Sequence, residues 1–179
     1  MALALGLGSA GYAGYRAFTD ASLANGPWRV LLSAGNQDAG IYERTAVALG
    51  GLFALSRTET LYYSAMTDQS GQRLSETCDY RIVGAEPDTR WWSLTAYAAD
   101  NFLIRNGDGH HALAQTTVDR DADGGFVIHV SPEPADTNWI SNKDGGAFIL
   151  MLRLYNPGKS VYDAPATAAL PRIERGACR

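Results

Sequence analysis

Apolar and polar residues alternate along most of the chain after residue 60, a period of two that is typical of β-strands burying one face. The runs that predict strands are 27–32, 61–66, 80–83, 91–97, 112–118, 126–130 and 147–155. Turns are predicted at 68–71 and 123–124, and the strongest hairpin signal is Asn106-Gly107-Asp108-Gly109. Many short strands with one polar face favour an antiparallel sheet over a parallel one.

One segment between the first two predicted strands has helical spacing of its larger residues. These residues are Ile41, Tyr42, Thr45, Leu49, Leu52 and Phe53. Asp38 precedes them and is placed to cap the helix. The chain after the last predicted strand contains Pro165 and Pro171, and we expect it to be extended.

The first 26 residues differ in composition from the rest of the chain. Residues 2–15 are uncharged and small or apolar, but this run is shorter than the roughly 20 residues that span a bilayer, and it lacks the basic region of a signal peptide. Its frequent glycines disfavour a soluble helix. We therefore interpret residues 1–26 as a helical leader or the remnant of a membrane anchor, with a buried N-terminal helix as the alternative.

The remaining residues, 27–179, are enough for one domain with its own core. The fold class predicted for them is mostly β, a jelly-roll-like antiparallel β-sandwich with one main helix before the strands. The net charge of −4 and the absence of any basic cluster argue against a nucleic-acid partner. Gly6, Gly8 and Gly11 have the spacing of a dinucleotide-binding loop, but no strand precedes them, so no cofactor is predicted.

Two cysteines, Cys78 and Cys178, are too far apart in sequence for a redox motif or a zinc knuckle. They either pair as a disulfide or are both free. A disulfide would tie the end of the chain to the body of the domain and would require an oxidising compartment such as the periplasm.

Several short motifs together resemble the bacterial domain-of-unknown-function 1214 family. The residues that carry the resemblance are Arg90-Trp91-Trp92-Ser93-Leu94-Thr95-Ala96-Tyr97, Asn106, Asp123-Gly124, Asn138-Trp139 and Leu152-Arg153-Leu154-Tyr155-Asn156-Pro157. The sequence departs from the family pattern at Ala98, where an acidic residue is expected, and at Ile140-Ser141, where Leu-Pro is expected.

The resemblance implies a fold similar to a jelly-roll β-sandwich. Members of this family occur alone behind a membrane anchor or as the C-terminal half of two-domain proteins. The implied location is the bacterial cell envelope, on its periplasmic side, with attachment to the membrane through the N-terminus where an anchor is present. The resemblance implies no particular activity.

The segment Asp119-Arg-Asp121-Ala-Asp123-Gly124 matches the first half of a calcium-binding loop. Val130 stands where such a loop needs its bidentate glutamate, so a solvated turn is favoured. His110 and His111 have no third ligand at a zinc-binding spacing. No metal site is predicted, and the weak candidates are Asp119, Asp121 and Asp123.

The strongest candidate site consists of aromatic and polar residues on the predicted strands. Alternation places Trp91 and Tyr97 on one face of their strand, and Arg153 and Tyr155 on the face opposite the leucines of theirs. The ligand-binding residues predicted in this way are Trp91, Tyr97, His129, Trp139, Arg153 and Tyr155. An aromatic-lined cavity with one arginine suits a small anion or a sugar. The alternative is that the aromatic residues pack between two sheets while Arg153 pairs with an acidic residue.

Three functions are consistent with these features. The first is a non-enzymatic module that binds a small ligand or an envelope component, with Arg153 holding an anionic group. The second is a membrane-tethered structural or interaction domain whose protein partner the sequence does not identify. The third is an enzyme acting on a glycan or small polar substrate, with His129 or a carboxylate as general acid or base.

Overall fold

A computed structural model describes residues 5–6, 8–12, 22–32, 35–36, 39–49 and 55–179. Within the described residues from 22 onward, ten strands and two helices follow one another along the chain. They are β1 (Ser22–Asn25), β2 (Trp28–Leu31), α1 (Ile41–Leu49), β3 (Thr60–Ala65), β4 (Cys78–Ala85), β5 (Thr89–Ala98), β6 (Ala112–Ala114), β7 (Gly125–Ser131), β8 (Trp139–Ser141), β9 (Phe148–Pro157), α2 (Lys159–Asp163) and β10 (Arg172–Cys178). Residues 5–6 and 8–12 are also helical.

The strands form two sheets. One sheet has six strands in the order β1-β2-β3-β9-β5-β6, and the other has four in the order β10-β4-β7-β8. Neighbouring strands run antiparallel except for β7 and β8, which are parallel. A mostly β, mostly antiparallel fold is therefore confirmed.

The two sheets share one hydrophobic core. Phe126 of β7 stacks on Trp92 of β5 with ring centroids 5.0 Å apart, and Tyr80 of β4 meets Phe148 of β9 edge to face at 5.6 Å. On β5, Trp92, Leu94 and Ala96 alternate into this core, as the period of two predicts. The opposite face of each sheet points away from the core, and we call it the outer face.

Strand β9 is the most deeply buried strand. Its inward side chains Phe148, Leu150, Leu152 and Leu154 are at most 2% exposed. Burial of each such side chain stabilises the fold by roughly 1.5–3 kcal/mol. Hydrogen bonds to β3 on one side and β5 on the other satisfy its backbone.

Three strands and one helix lie outside the runs from which strands and helices were predicted. Strand β1 and strand β8 have only four and three residues, too few for a clear alternation. Strand β10 has one fully buried apolar residue, Ile173, so its pattern is that of a polar loop. Helix α2 has five residues and begins directly after Gly158.

Residues 165–171 run beside β1, β2 and β3 of the six-stranded sheet. Side chains of these three strands donate hydrogen bonds to the carbonyl groups of this segment. The Asn25 amide donates to the Ala168 carbonyl at 2.8 Å, and the Trp28 indole N–H donates to the Pro171 carbonyl at 2.8 Å. The Tyr63 hydroxyl donates to the Pro165 carbonyl at 3.0 Å. Burial raises the pKa of Tyr63 to about 12, although the nearby cation of Arg57 lowers it in part.

The predicted helix is present as α1, while its predicted cap, Asp38, and the apolar residues after position 49 fall outside the described residues. The segment 106–109 does not form a tight hairpin, because thirteen residues, 99–111, connect β5 to β6. Asn106 is instead buried, and its side chain accepts from Gly109 N and donates to the Ser141 carbonyl.

The boundary predicted at residue 26 stays a prediction, although β1 already belongs to the six-stranded sheet. None of the helices in the described residues has the length and apolar character that crossing a bilayer requires.

A disulfide joins Cys78 to Cys178, which face each other in the β4–β10 pair. The bond closes a loop across a sequence separation of 100 residues. Of the two alternatives for the cysteines, pairing is the one observed. A disulfide of this kind indicates an oxidising compartment outside the cytoplasm.

A buried ion pair lies next to the disulfide. Asp68 is 2% exposed, and its carboxylate accepts from Arg175 Nε at 2.5 Å, from Ser70 N at 2.8 Å and Ser70 Oγ at 2.7 Å, and from Gln72 N at 3.0 Å. Burial alone raises the pKa of Asp68, but these hydrogen bonds outweigh it and lower the pKa to about 2.

We predict that Asp68 makes stability dependent on acid pH. The pKa of Asp68 in the folded protein lies below its ordinary value of 3.8. The ionised carboxylate therefore makes its full contribution to the unfolding free energy above pH 3.8, and this contribution is lost as the pH falls through about 2. Between about pH 5 and pH 2, the wild type should lose about 2 kcal/mol of unfolding free energy that Asp68→Asn does not lose, as measured by urea titration. Asp163→Asn, at an exposed carboxylate, should behave like the wild type; equal losses in all three proteins would refute the prediction.

Gly158 allows the turn between β9 and α2 to pass close to Asp88. A Cβ atom on residue 158 would overlap the Asp88 carboxylate, which accepts from Ser160 N at 3.1 Å and Ser160 Oγ at 2.6 Å. We predict that Gly158→Ala lowers the unfolding free energy by roughly 1–3 kcal/mol, because the carboxylate must move away from the helix. Gly176→Ala, whose Cβ would have its nearest neighbour at 3.4 Å, should change it by less than about 0.5 kcal/mol. Equal thermal unfolding curves for the two variants would contradict this explanation.

Candidate functional site

The outer face of β5 and β9 carries most of the predicted site residues. Register places Trp91 opposite Tyr155 and Ser93 opposite Arg153, and it places Tyr97 opposite Ile149. The prediction that these residues share one face is therefore consistent with the register of the six-stranded sheet.

Arg153 lies between Tyr62 of β3 and Ser93 of β5, but its side chain reaches along the sheet. Its Nη2 donates to the Tyr97 hydroxyl at 2.7 Å, and its Nη1 donates to Thr95 Oγ1 at 3.3 Å. The guanidinium carbon is also 5.4 Å from the centroid of the Tyr97 ring, within the range of a cation–π interaction. These three contacts fix the guanidinium over β5.

The partners of Arg153 are neutral. Among the residues that the structure describes, no carboxylate forms an ion pair with Arg153. Arg120 and Arg175, in contrast, each contact a carboxylate, of Glu86 and Asp68 respectively. Arg153 is half-buried, so water compensates only part of its charge. A guanidinium in this state has N–H groups available for an anion.

Trp91 and Tyr155 form an aromatic pair two residues along the strands from Arg153. Their ring centroids are 5.1 Å apart and their planes are inclined by 55°. Both residues are half-buried, so part of each ring remains exposed to solvent. The Arg153 side chain reaches in the opposite direction, toward Thr95 and Tyr97, so the ring that its guanidinium contacts is that of Tyr97 and not that of Trp91 or Tyr155.

His129 and Trp139 lie elsewhere, on the outer face of the four-stranded sheet. His129 pairs in register with Arg81 on one side and Trp139 on the other, while the flanking Ile128 and Val130 are fully buried in the core. Arg153 belongs to the other sheet. The predicted six-residue site is thus divided between two sheets.

Trp139 has local partners of its own. Its indole N–H donates to the Ser131 carbonyl at 3.0 Å, and its ring centroid is 4.6 Å from that of His110. The register neighbours of His129 include no carboxylate, so the geometry does not favour a general acid and base pair centred on His129.

The aspartates of the 119–124 segment are used in a turn. The Asp121 carboxylate accepts from Asp123 N at 3.0 Å and from Gly125 N at 2.7 Å. Asp119 is held through its backbone, which exchanges two hydrogen bonds with the Asn138 side chain. Over the described part of the chain, no three His, Cys, Asp or Glu side chains come close enough to hold a metal ion.

Two residues that were not predicted as site residues contribute to this face. The Thr95 hydroxyl accepts a hydrogen bond from Arg153. Tyr62 pairs in register with Arg153, and the Tyr62 hydroxyl accepts a hydrogen bond from Leu55 N at 3.0 Å. Alternation within 61–66 would have placed Tyr62 on the face opposite Leu61 and Tyr63. The pairing of β3 with β9 has no signal in a single sequence.

The difference between the two partly buried arginines predicts a difference in stability. Arg153→Met removes a cation that no carboxylate of the described segments contacts, and we expect the unfolding free energy to change by less than about 1 kcal/mol or to rise. Arg175→Met leaves Asp68 buried and unpaired, and we expect a loss of roughly 3–5 kcal/mol. Urea titration at neutral pH measures both values. A similar loss in the two variants would show that Arg153 is a structural residue like Arg175.

A model of the family described as "Protein of unknown function (DUF1214)" matches residues 59–159, which is more than half of the chain. The matched segment runs from β3 to the start of α2 and includes the whole Arg153 site. A search of curated proteins finds no match.

Solved structures that are similar to this chain include those of two bacterial proteins. The VPA0106 protein from Vibrio parahaemolyticus is 24% identical with a TM-score of 0.64, over 78% of this chain and 36% of that one. An uncharacterized protein from Burkholderia cenocepacia is 20% identical with a TM-score of 0.46, over 68% of this chain and 30% of that one. This chain therefore spans about a third of the length of each protein. The first similarity supports the fold.

Proposed function

This chain belongs to the DUF1214 family of proteins of unknown function, and we propose that it is a non-enzymatic module that binds a small anionic ligand. The observation that carries the proposal is the state of Arg153. Its guanidinium is half-buried, oriented by Tyr97 and Thr95, and without a carboxylate partner among the described residues. A fixed cation of this kind is suited to an anion that completes its hydrogen bonds.

The ligand class follows from the N–H donors of the Arg153 guanidinium and from the aromatic ring beside it. A guanidinium has five N–H donors, and two of them point to the hydroxyls of Thr95 and Tyr97. The others suit a carboxylate or phosphate, which can accept two parallel hydrogen bonds. The Tyr97 ring, whose centroid is 5.4 Å from the guanidinium carbon, offers aromatic surface for the uncharged part of the ligand. An acidic sugar or a small organic acid has both parts.

The cellular setting is part of the same proposal. The Cys78–Cys178 disulfide supports a location outside the cytoplasm. We place the module on the periplasmic side of a bacterial envelope, attached to the membrane through the segment that precedes β1. A jelly-roll order of the strands and a single domain at 27–179 belong to this proposal as well.

We predict that an anionic ligand raises the melting temperature of the wild type. At about one hundred times its dissociation constant a ligand adds roughly 2.7 kcal/mol, which is about 5–10 °C for a chain of this length. The panel is citrate, inorganic phosphate and glucuronate, with glucose as the neutral counterpart of glucuronate. Each compound is titrated to saturation at constant ionic strength.

The variants separate binding at Arg153 from general salt effects, since phosphate and citrate also stabilise proteins by being excluded from their surface. Arg153→Gln should lose the saturable shift, and Tyr97→Phe should weaken it. Arg81→Gln, at an exposed arginine on the other sheet, should keep the full shift. A panel without any saturable shift, or a shift that survives in Arg153→Gln, would overturn the proposal and favour an interaction domain.

A further inference from the structure

The disulfide is in direct contact with a cation. Arg175 Nη1 lies 3.2 Å from the Sγ of Cys78 and 3.8 Å from the Sγ of Cys178. The rest of this guanidinium is held in place, because Nε contacts the Asp68 carboxylate at 2.5 Å and Nη2 donates to the Arg73 carbonyl at 2.5 Å. The position of Nη1 over the sulfurs is therefore set by contacts that do not involve the disulfide.

The two sulfurs differ in their access to solvent. Cys78 is 3% exposed and belongs to the hydrophobic core, whereas Cys178 is exposed. The pairing of β10 with β4 shifts between Arg175 and Cys178, and this irregularity leaves Gly176 and Ala177 exposed beside Cys178. Cys178 is therefore the more accessible of the two cysteines to a molecule from solvent while the bond is intact.

We propose that the Cys78–Cys178 bond is a site of reversible modification by low-molecular-weight thiols, with a fixed direction of attack. The thiolate of the small molecule attacks Cys178 Sγ and forms a new sulfur–sulfur bond there. The Cys78–Cys178 bond breaks, and its electron pair leaves on Cys78 Sγ as a thiolate beside Arg175. The proton of the attacking thiol goes to solvent, and one disulfide replaces another without net oxidation.

The charge of Arg175 favours this direction. A thiol that leaves as a stabilised thiolate leaves faster, and an adjacent arginine lowers the pKa of a cysteine thiol. The other groups around the sulfur are Asp68, which contacts Arg175 through Nε on the side away from Nη1, the Thr77 hydroxyl at 3.8 Å, and the Tyr80 ring beneath the guanidinium. The return step is attack by the Cys78 thiolate on the mixed disulfide, which restores the original bond.

The first experiment locates the modification. The oxidised full chain is incubated with reduced glutathione, trapped with excess N-ethylmaleimide in denaturant and mapped by peptide mass spectrometry. Glutathione on Cys178 and maleimide on Cys78 is the expected result. Glutathione on Cys78, on both residues equally, or on neither would overturn the proposal.

The second experiment tests the role of Arg175. The double variant Arg175→Gln with Asp68→Asn removes the cation without leaving a buried carboxylate unpaired. Its rate of mixed-disulfide formation should fall severalfold, because without the Arg175 cation the Cys78 thiolate is less stabilised and is a poorer leaving group. Arg172→Gln, at an exposed arginine on the same strand, is the matched control and should react like the wild type. Equal rates in the double variant and the control would refute the role of Arg175.

A third measurement uses the wild type alone, so it does not depend on the folding of any variant. In the reduced protein, the pH dependence of alkylation by iodoacetamide gives a pKa for each thiol, with the two sites separated by peptide mapping. The pKa of the Cys78 thiol should be the lower of the two, despite its burial. A lower value at Cys178, or equal values, would show that Arg175 does not stabilise the leaving group.

Discussion

The fold depends on the burial of β9 between β3 and β5. Its leucine face forms the centre of the core, and its backbone is hydrogen-bonded on both sides by strands that are distant from it in sequence. Strands β3 and β5 have no contact in the sheet except through β9, so the six-stranded sheet exists only when β9 is in place. The second sheet then covers the leucine face, with Phe126 on Trp92 and Tyr80 on Phe148.

The same constraint places the candidate site. Because β9 must present its leucines to the core, Arg153 and Tyr155 must face outwards, and the register with β5 brings Trp91, Thr95 and Tyr97 to the same face. A strand at the centre of a sheet is among the most rigid positions in a domain. Arg153 is therefore held where its neighbours are aromatic rings and hydroxyls, on a surface that cannot easily rearrange around it.

The faces of individual strands were predictable, because alternation in 91–97 and 147–155 reports directly which side chains are buried. The pairing of strands was not, because partners such as β3 and β9 are about ninety residues apart and carry no signal that links them. His129 was correctly expected on the face away from Ile128, yet alternation could not tell which sheet that face belongs to. Strand β10 lacked the apolar residues that identify a strand, and Asn106 had the signature of a tight hairpin although its side chain is used inside a long connection.

The pairing of β10 with β4 also has a consequence for biosynthesis. By the time residue 157 has been made, every strand of the six-stranded sheet is available, but β4 still has a free edge and Cys78 has no partner. Both gaps close together when residues 172–178 emerge and bring Cys178 opposite Cys78. Until then, β4 is an edge strand with one open edge, the type of surface that other chains can add to. Closure of the four-stranded sheet and the approach of the two cysteines are thus a single step, which must follow the synthesis of residues 172–178.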